Sequence, residues 1–248
     1  MTLLVACGLK REARWLHAEG VEAVAGGGDE AALEAALEAA VPRARAIMSV
    51  GFAGGLAPRM AAGEWVVGTI APTGMERREW SVGAGASRTK STRIGEARPE
   101  PGQQSEETRR WIHALSRILG GVVVGRIHGS RAIVASVAEK HALHLSSRAV
   151  AVDMESHVAA RVAARHGLPF AVARVISDAA DRALPPAIQV AMGASGGLAV
   201  GAILLSILRR PWQVPALLRF TRDAWRAGRV LRQGWRRLAA AGFGLDPA

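Results

Sequence analysis

Ser49-Val-Gly-Phe-Ala-Gly-Gly-Leu-Ala-Pro58 overlaps a short apolar run, Ala46-Ile-Met-Ser-Val50, and the two read as a β-strand that delivers the chain into a glycine-rich turn. The glycines, among them Gly51 and Gly54, remove side chains that would keep backbone N–H groups away from a ligand. About a hundred residues on, a second strand ends at Val152-Asp-Met-Glu-Ser156, and a third ends at Ser177-Asp178 within Ala173-Arg-Val-Ile-Ser-Asp-Ala-Ala-Asp181. Glu155 and Asp178 are therefore expected at the carboxyl ends of strands in one sheet. Open α/β sheets hold their ligands there.

The flanking sequence supports this arrangement. Leu3–Cys7 is a run of strand length, followed by Gly8 and a helical pattern through Trp15 and Leu16. Gly26-Gly-Gly28 and Asp29 form a loop and helix N-cap before the alanine-, leucine- and glutamate-rich helix from Ala31 to Ala40. Glu64-Trp-Val-Val67 with Ile70 supplies a strand, and Thr73–Glu107, polar and rich in Gly, Arg and Ser, reads as a long surface loop able to order over a ligand. A helix from Glu106 to Leu119 precedes a β-branched strand over Gly121–Ile127. Val150–Val152 is a strand, His157–His166 a helix stopped by Gly167-Leu-Pro169, and Phe170–Ile176 a strand. Strands alternating with helices predict an α/β fold with a mixed, mainly parallel central sheet flanked by helices.

At 248 residues, with a hydrophobic share of 50% and a charged share of 21%, the chain can bury one sizeable core and is not disordered. Cys7 is the only cysteine, so no internal disulfide can form, and it reads as a small buried hydrophobe. With no apolar leader at the N-terminus, a cytoplasmic location is expected. The net charge of +11 is uneven. Residues 209–237 carry nine arginines against the single acid Asp223, a segment charge of +8, which leaves +3 for everything else. The basic character thus belongs to a tail, with an anionic partner.

The three spaced motifs, Gly51–Pro58, Val152–Glu155 and Val175–Asp181, resemble the purine and uridine phosphorylase superfamily. They are most similar to its 5′-methylthioadenosine/S-adenosylhomocysteine nucleosidase branch, and within that branch to hopanoid-associated nucleoside phosphorylases. The resemblance covers roughly residues 1–185. It implies cleavage of the N-glycosidic bond of a 5′-substituted adenosine: adenosylhopane going to ribosylhopane or phosphoribosylhopane, or, alternatively, a substrate of methionine salvage. A basic membrane- or nucleic-acid-binding module on an inactive fold is the rival from outside enzymology, and intact acids speak against it.

Cleaving ribose from a purine requires a proton for the leaving base and tolerance of positive charge on the sugar, and placed carboxyl groups supply both. By resemblance, Asp178, behind Ser177, is the general acid that protonates purine N7. Glu155 accepts hydrogen bonds from the ribose hydroxyls, and Met154 lies against the sugar. Glu12 falls where the nucleosidases place the glutamate that activates water. Phe52 stands where they carry a serine. Gly51, Ala53, Gly54, Ala132 and Ile133 correspond to the pocket around adenine and the 5′ group.

No cofactor or metal is expected; His141 and His144, three apart, have no third ligand at sensible spacing. Inorganic phosphate is a possible co-substrate, for which Lys10, Arg11 and Arg14 are candidate cations. The resemblance further implies a homo-oligomer, with a dimer favoured.

The expected boundary separates a catalytic domain, 1–208, from a basic amphipathic extension, 209–248. Ile188–Leu208 is uncharged and 21 residues long, enough to span a bilayer, although its glycines also suit a core or surface helix. Val214, Leu218, Trp225, Leu231, Trp235 and Leu238 recur near helical periodicity beside an arginine stripe. That combination suits either packing on the domain or an anionic membrane surface, and no nucleic acid is expected.

Overall fold

The computed structural model describes residues 2–71, 106–193 and 200–245. The polar stretch read as a long loop lies outside the described residues up to 105. Among the described residues seven strands form one sheet: β1 (Thr2–Cys7), β2 (Val21–Ala25), β3 (Ala44–Gly55), β4 (Trp65–Ile70), β5 (Val123–Gly129), β6 (Ala151–Asp153) and β7 (Phe170–Asp178). β2 was not legible as a strand in the sequence. The helices are α1 (Lys10–Trp15), α2 (Glu30–Ala40), α3 (Glu106–Leu119), α4 (Val137–Ser147), α5 (Ser156–Arg165), α6 (Pro186–Gly193), α7 (Val200–Arg209) and α8 (Val214–Ala240).

β3 organises the sheet. Its first half pairs in parallel with β1, its other edge pairs in parallel with β7 from Ile47 to Gly54, and its last two glycines pair antiparallel with β6. β7 then pairs with β4, β4 with β5 and β5 with β6, so five strands close into a ring from which β1 and β2 extend. Most pairings are parallel; β3–β6 and β4–β7 are antiparallel.

One expectation is corrected here. Gly51–Gly55 is not a turn after the strand but its second half, because β7 offers a continuous ladder, Phe52 opposite Val175 and Ala53 opposite Ile176. Gly51 adopts φ +149°, a conformation that side chains rarely tolerate, and this lets the strand bend round the ring.

Alternation along the strands divides the core between two faces. Val5, Met48 and Val67 point towards α3 and α8, while Leu4, Ile47 and Ile176 point towards α2 and α5. The six apolar positions expected as a single stripe on α8 do not share one environment. Leu231, Trp235 and Leu238 are buried in the first core, with Trp235 Nε1 donating to the His17 carbonyl at 3.4 Å, whereas Leu218 and Trp225 are 66% and 64% exposed. The described residues of the uncharged stretch over 188–208 belong to two helices, α6 and α7, and among the described residues no helix is long and apolar enough to cross a membrane.

Candidate active site

β1 ends at Cys7 and the chain turns at Gly8 into α1, so Glu12 in the first helical turn folds back over that turn. Its Oε2 accepts from the N–H groups of Gly8 (2.9 Å) and Leu9 (3.0 Å), donors that a helix start otherwise leaves unsatisfied. Glu155 arrives from the opposite side, on the turn between β6 and α5. A Cβ on Gly8 would lie 2.9 Å from Glu155 Oε1 and 3.4 Å from Glu12 Oε2, so the two carboxylates converge on the space over Gly8.

Between them sits Arg174, to which the sequence reading assigned no role. It projects from the middle of β7 and is 1% exposed. Nη2 lies 2.7 Å from Asp153 Oδ2, 3.1 Å from Glu155 Oε2 and 2.6 Å from Ser49 Oγ, while Nη1 donates to the Phe52 carbonyl at 3.2 Å. Ser156 Oγ, 2.9 Å from Ser49 Oγ, donates to Asp153. The signal that could have revealed this network is a lone arginine inside the apolar strand Phe-Ala-Val-Ala-Arg-Val-Ile. A charge buried in mid-strand needs partners, and Asp153 inside β6 is the matching anomaly.

Asp178 closes β7 beside Gly54, where an added Cβ would lie 3.3 Å from its Oδ2, so only glycine leaves the approach to that carboxyl open. Ser177 Oγ donates to Asp178 Oδ1 at 2.8 Å, with the Ala53 carbonyl at 3.3 Å as a second acceptor. Lys140 of α4, fully buried, places Nζ 2.5 Å from Asp178 Oδ2. Gly51 adjoins Glu12 and Arg174, with an added Cβ 3.1 Å from Glu12 Oε2 and 2.8 Å from Arg174 Nη1. Gly54 is three positions along from Gly51, about 10 Å of strand at the usual rise. The Glu12–Glu155 pair and Asp178 thus stand at two points along β3, one beside Gly51 and one beside Gly54.

The remaining expected residues fall in different places. Met154 is half-buried between Asp153 and Glu155. Phe52 turns its ring away into the first core, where Gly228 of α8 packs beside it, and contributes backbone to the site. Ala132, exposed, and Ile133, half-buried, lie on the loop after β5, at the sheet end where Ser130 N–H donates to the Asp153 carbonyl (2.8 Å). Lys10, Arg11 and Arg14 are exposed, and Arg11 stacks over Trp15 at 5.0 Å.

Burial pushes the Glu155 carboxyl from its ordinary 4.5 up to about 7; Arg174 opposes the rise, and Asp153 and Glu12 add to it. Burial likewise raises Glu12, against the N–H groups that bond it and the Arg174 charge. Burial alone would weaken Arg174 as a base, but the surrounding carboxylates outweigh it and hold the guanidinium above its ordinary value. Burial pushes the Cys7 thiol up to about 12, which makes it inert beside the site. A carboxyl poised near neutrality beside a fixed cation, as Glu155 is, can exchange protons with a substrate.

Comparison with known proteins places the fold. Over 84% of its length the chain superposes on 96% of the S-adenosylhomocysteine nucleosidase of Streptococcus pyogenes in complex with 5-methylthiotubericidin, at 20% identity and a TM-score of 0.54. For the 5′-methylthioadenosine/S-adenosylhomocysteine nucleosidase of Streptococcus pneumoniae with a transition-state inhibitor, the figures are 96% of this chain, 100% of that one, 17% identity and a TM-score of 0.56. A futalosine hydrolase mutant of Helicobacter pylori matches at 14% identity and a TM-score of 0.53, over 84% and 99% of the two chains. These likenesses show the fold. No curated protein sequence matches the chain. The family model of the phosphorylase superfamily matches residues 21–209, more than half of the length. The chain belongs to the phosphorylase superfamily.

Proposed function

We propose that the protein cleaves the N-glycosidic bond of a 5′-substituted adenosine and releases adenine. The observation that carries this reading is the division of acids along β3: Glu12 and Glu155 converge at one end, around Arg174, and Asp178 stands at the other, held by Ser177. Asp178 would deliver a proton to purine N7 as the C1′–N9 electron pair passes into the base. Glu155 would accept the ribose hydroxyls, and Glu12 would take a proton from the attacking water. The two buried cations of the described residues, Arg174 and Lys140, both bond carboxylates, which favours water over phosphate as nucleophile. The nucleosidase neighbours, one holding 5-methylthiotubericidin, support a small adenosine-like substrate.

For the 5′ group we infer a long apolar one, as in adenosylhopane, on the strength of the sequence resemblance; a methylthio or homocysteinyl group is the alternative. A surface feature favours the lipid-linked reading. Five of the nine large exposed hydrophobics among the described residues, Leu205, Leu208, Trp212, Leu218 and Trp225, fall within one 21-residue stretch. Exposed Arg209, Arg210, Arg219, Arg222 and Arg229 surround them, and Arg229 stacks on Trp225 at 4.5 Å. The one acid there, Asp223, is already bonded by Arg182 at 2.8 Å. Exposed tryptophan and leucine among unneutralised arginines suit an anionic bilayer surface, where a lipid-linked substrate would reside.

The test is adenine release from 5′-methylthioadenosine and from a long-chain 5′-alkyl adenosine, with and without inorganic phosphate. Release from the alkyl compound at the higher kcat/KM supports the lipid-linked reading, and a preference for methylthioadenosine supports the alternative. Release from neither refutes the proposal.

A further inference from the structure

Lys140 is the largest investment of charge that the proposed reaction leaves unexplained. It sits on the fourth residue of α4, is fully buried, and its ammonium makes three bonds: to Asp178 Oδ2 at 2.5 Å, to the Ala179 carbonyl at 2.9 Å and to the Arg182 carbonyl at 2.9 Å. Three N–H donors thus meet three acceptors, in a fixed direction. Burying a lysine costs several kcal/mol unless it is paired in good geometry, and an apolar residue of similar volume would often stabilise the fold as well or better. Fold stability alone therefore does not account for it.

Among the described residues Asp178 is the one acid that this ammonium pairs with. Glu139, the neighbouring acid on α4, turns away to cap Ser136 at 2.8 Å. The Arg182 side chain points outward to Asp223, and His144 of the same helix bonds the Ala149 carbonyl at 2.8 Å. From β7, Ser177 holds the other Asp178 oxygen. The carboxyl is gripped at both oxygens, once by a neutral donor and once by a cation.

We propose that Lys140 is a positioning residue for Asp178, and that its ammonium stabilises the charge appearing there as the base departs; this rests on the reading of Asp178 as the acid. In that step the Asp178 O–H bond breaks and an N–H bond forms at purine N7. The C1′–N9 pair moves into the purine, water adds to C1′, and Glu12 takes the water's proton. Lys140 keeps its three hydrogens throughout. In the protonated acid Asp178 carries no charge, and negative charge returns to it as the proton moves to N7, so a fixed cation at this distance is worth more in the transition state than in the protonated ground state.

The experiment compares wild type with Lys140→Met and Lys140→Gln on two substrates: 5′-methylthioadenosine, whose adenine leaves with N7 protonated, and 4-nitrophenyl β-D-ribofuranoside, whose phenolate leaves without a proton. Lys140→Gln keeps hydrogen-bond donors for the carbonyls and so guards against a failure to fold, which thermal melting reports. Both variants should lose about 10²-fold in kcat on the nucleoside with KM changed less than about threefold, and should stay within about threefold on the nitrophenyl riboside. Adding Asp178→Asn to either variant should cost little beyond Asp178→Asn alone, since both act on one proton transfer. Equal losses on both substrates, or wild-type kcat on the nucleoside in folded Lys140→Gln, overturn the role. Wild type inactive on the nucleoside under all phosphate conditions overturns the acid assignment, and this role with it.

Discussion

Replacing Arg174 with Met would leave Asp153 and Glu155 facing a buried apolar chain where both now bond one guanidinium, at 2.7 and 3.1 Å, with Glu12 close by. Removing one partner of a buried charge pair costs about 3–5 kcal/mol. For a chain of this size, where 1 kcal/mol moves Tm by about 2–4 °C, the melting temperature should fall by roughly 6–20 °C at pH 8. The pH dependence makes the test specific. Glu155 binds its proton more tightly in the folded protein than in the unfolded chain, so stability falls as pH rises from about 4.5 to about 7 and levels off above. Without Arg174 the opposing cation is gone, Glu155 holds its proton to still higher pH, and the fall becomes longer. The deficit of Arg174→Met should therefore be largest at pH 8 and smaller at pH 5, where Glu155 can be neutral. Melts followed by circular dichroism at the two pH values decide it. A Tm loss under about 2 °C at pH 8, or equal losses at both, would refute the claim that Arg174 neutralises this acid cluster.

Glu12→Gln separates the nucleophiles: it should cut phosphate-independent adenine release by about 10²-fold or more, since deprotonating water is a base's task, and a tolerated substitution under strict phosphate dependence would sink the hydrolytic reading. KM should fall as pH rises through about 7, because Glu155 accepts sugar hydroxyls best when ionised, and a flat KM profile from pH 6 to 8 would contradict its assignment. Trp212→Ser with Leu218→Ser and Trp225→Ser should abolish co-sedimentation with phosphatidylglycerol vesicles at low salt while leaving turnover of methylthioadenosine unchanged. Wild type that ignores such vesicles, or binds neutral phosphatidylcholine equally, would argue for a protein or nucleic-acid partner instead. Substitution is preferable to truncation here, since Leu231, Trp235 and Leu238 of the same helix are core residues.

The alternation of strands and helices, the carboxyl-end placement of Glu155 and Asp178, and the buried nature of Cys7 were all legible in the sequence, because periodicity and turn residues are local properties. So was the uneven charge of the tail. What local pattern could not supply was partnership. The glycine run reads as a turn until β7 is laid alongside it, since glycines carry no strand preference of their own and the ladder comes from residues more than a hundred positions away. α8 reads as one amphipathic helix, yet its contacts divide Leu218 and Trp225 from Leu231, Trp235 and Leu238. Arg174 and Lys140 look like unremarkable basic residues in sequence. They acquire meaning from burial, which forces each to find a carboxylate, and those carboxylates lie 19 to 38 residues away. The sequence by itself determined which acids are available and at which strand ends they stand; the tertiary structure decided which cation faces each of them, because electrostatic partnership depends on distance and on the exclusion of water, and the closing of the five-strand ring sets both.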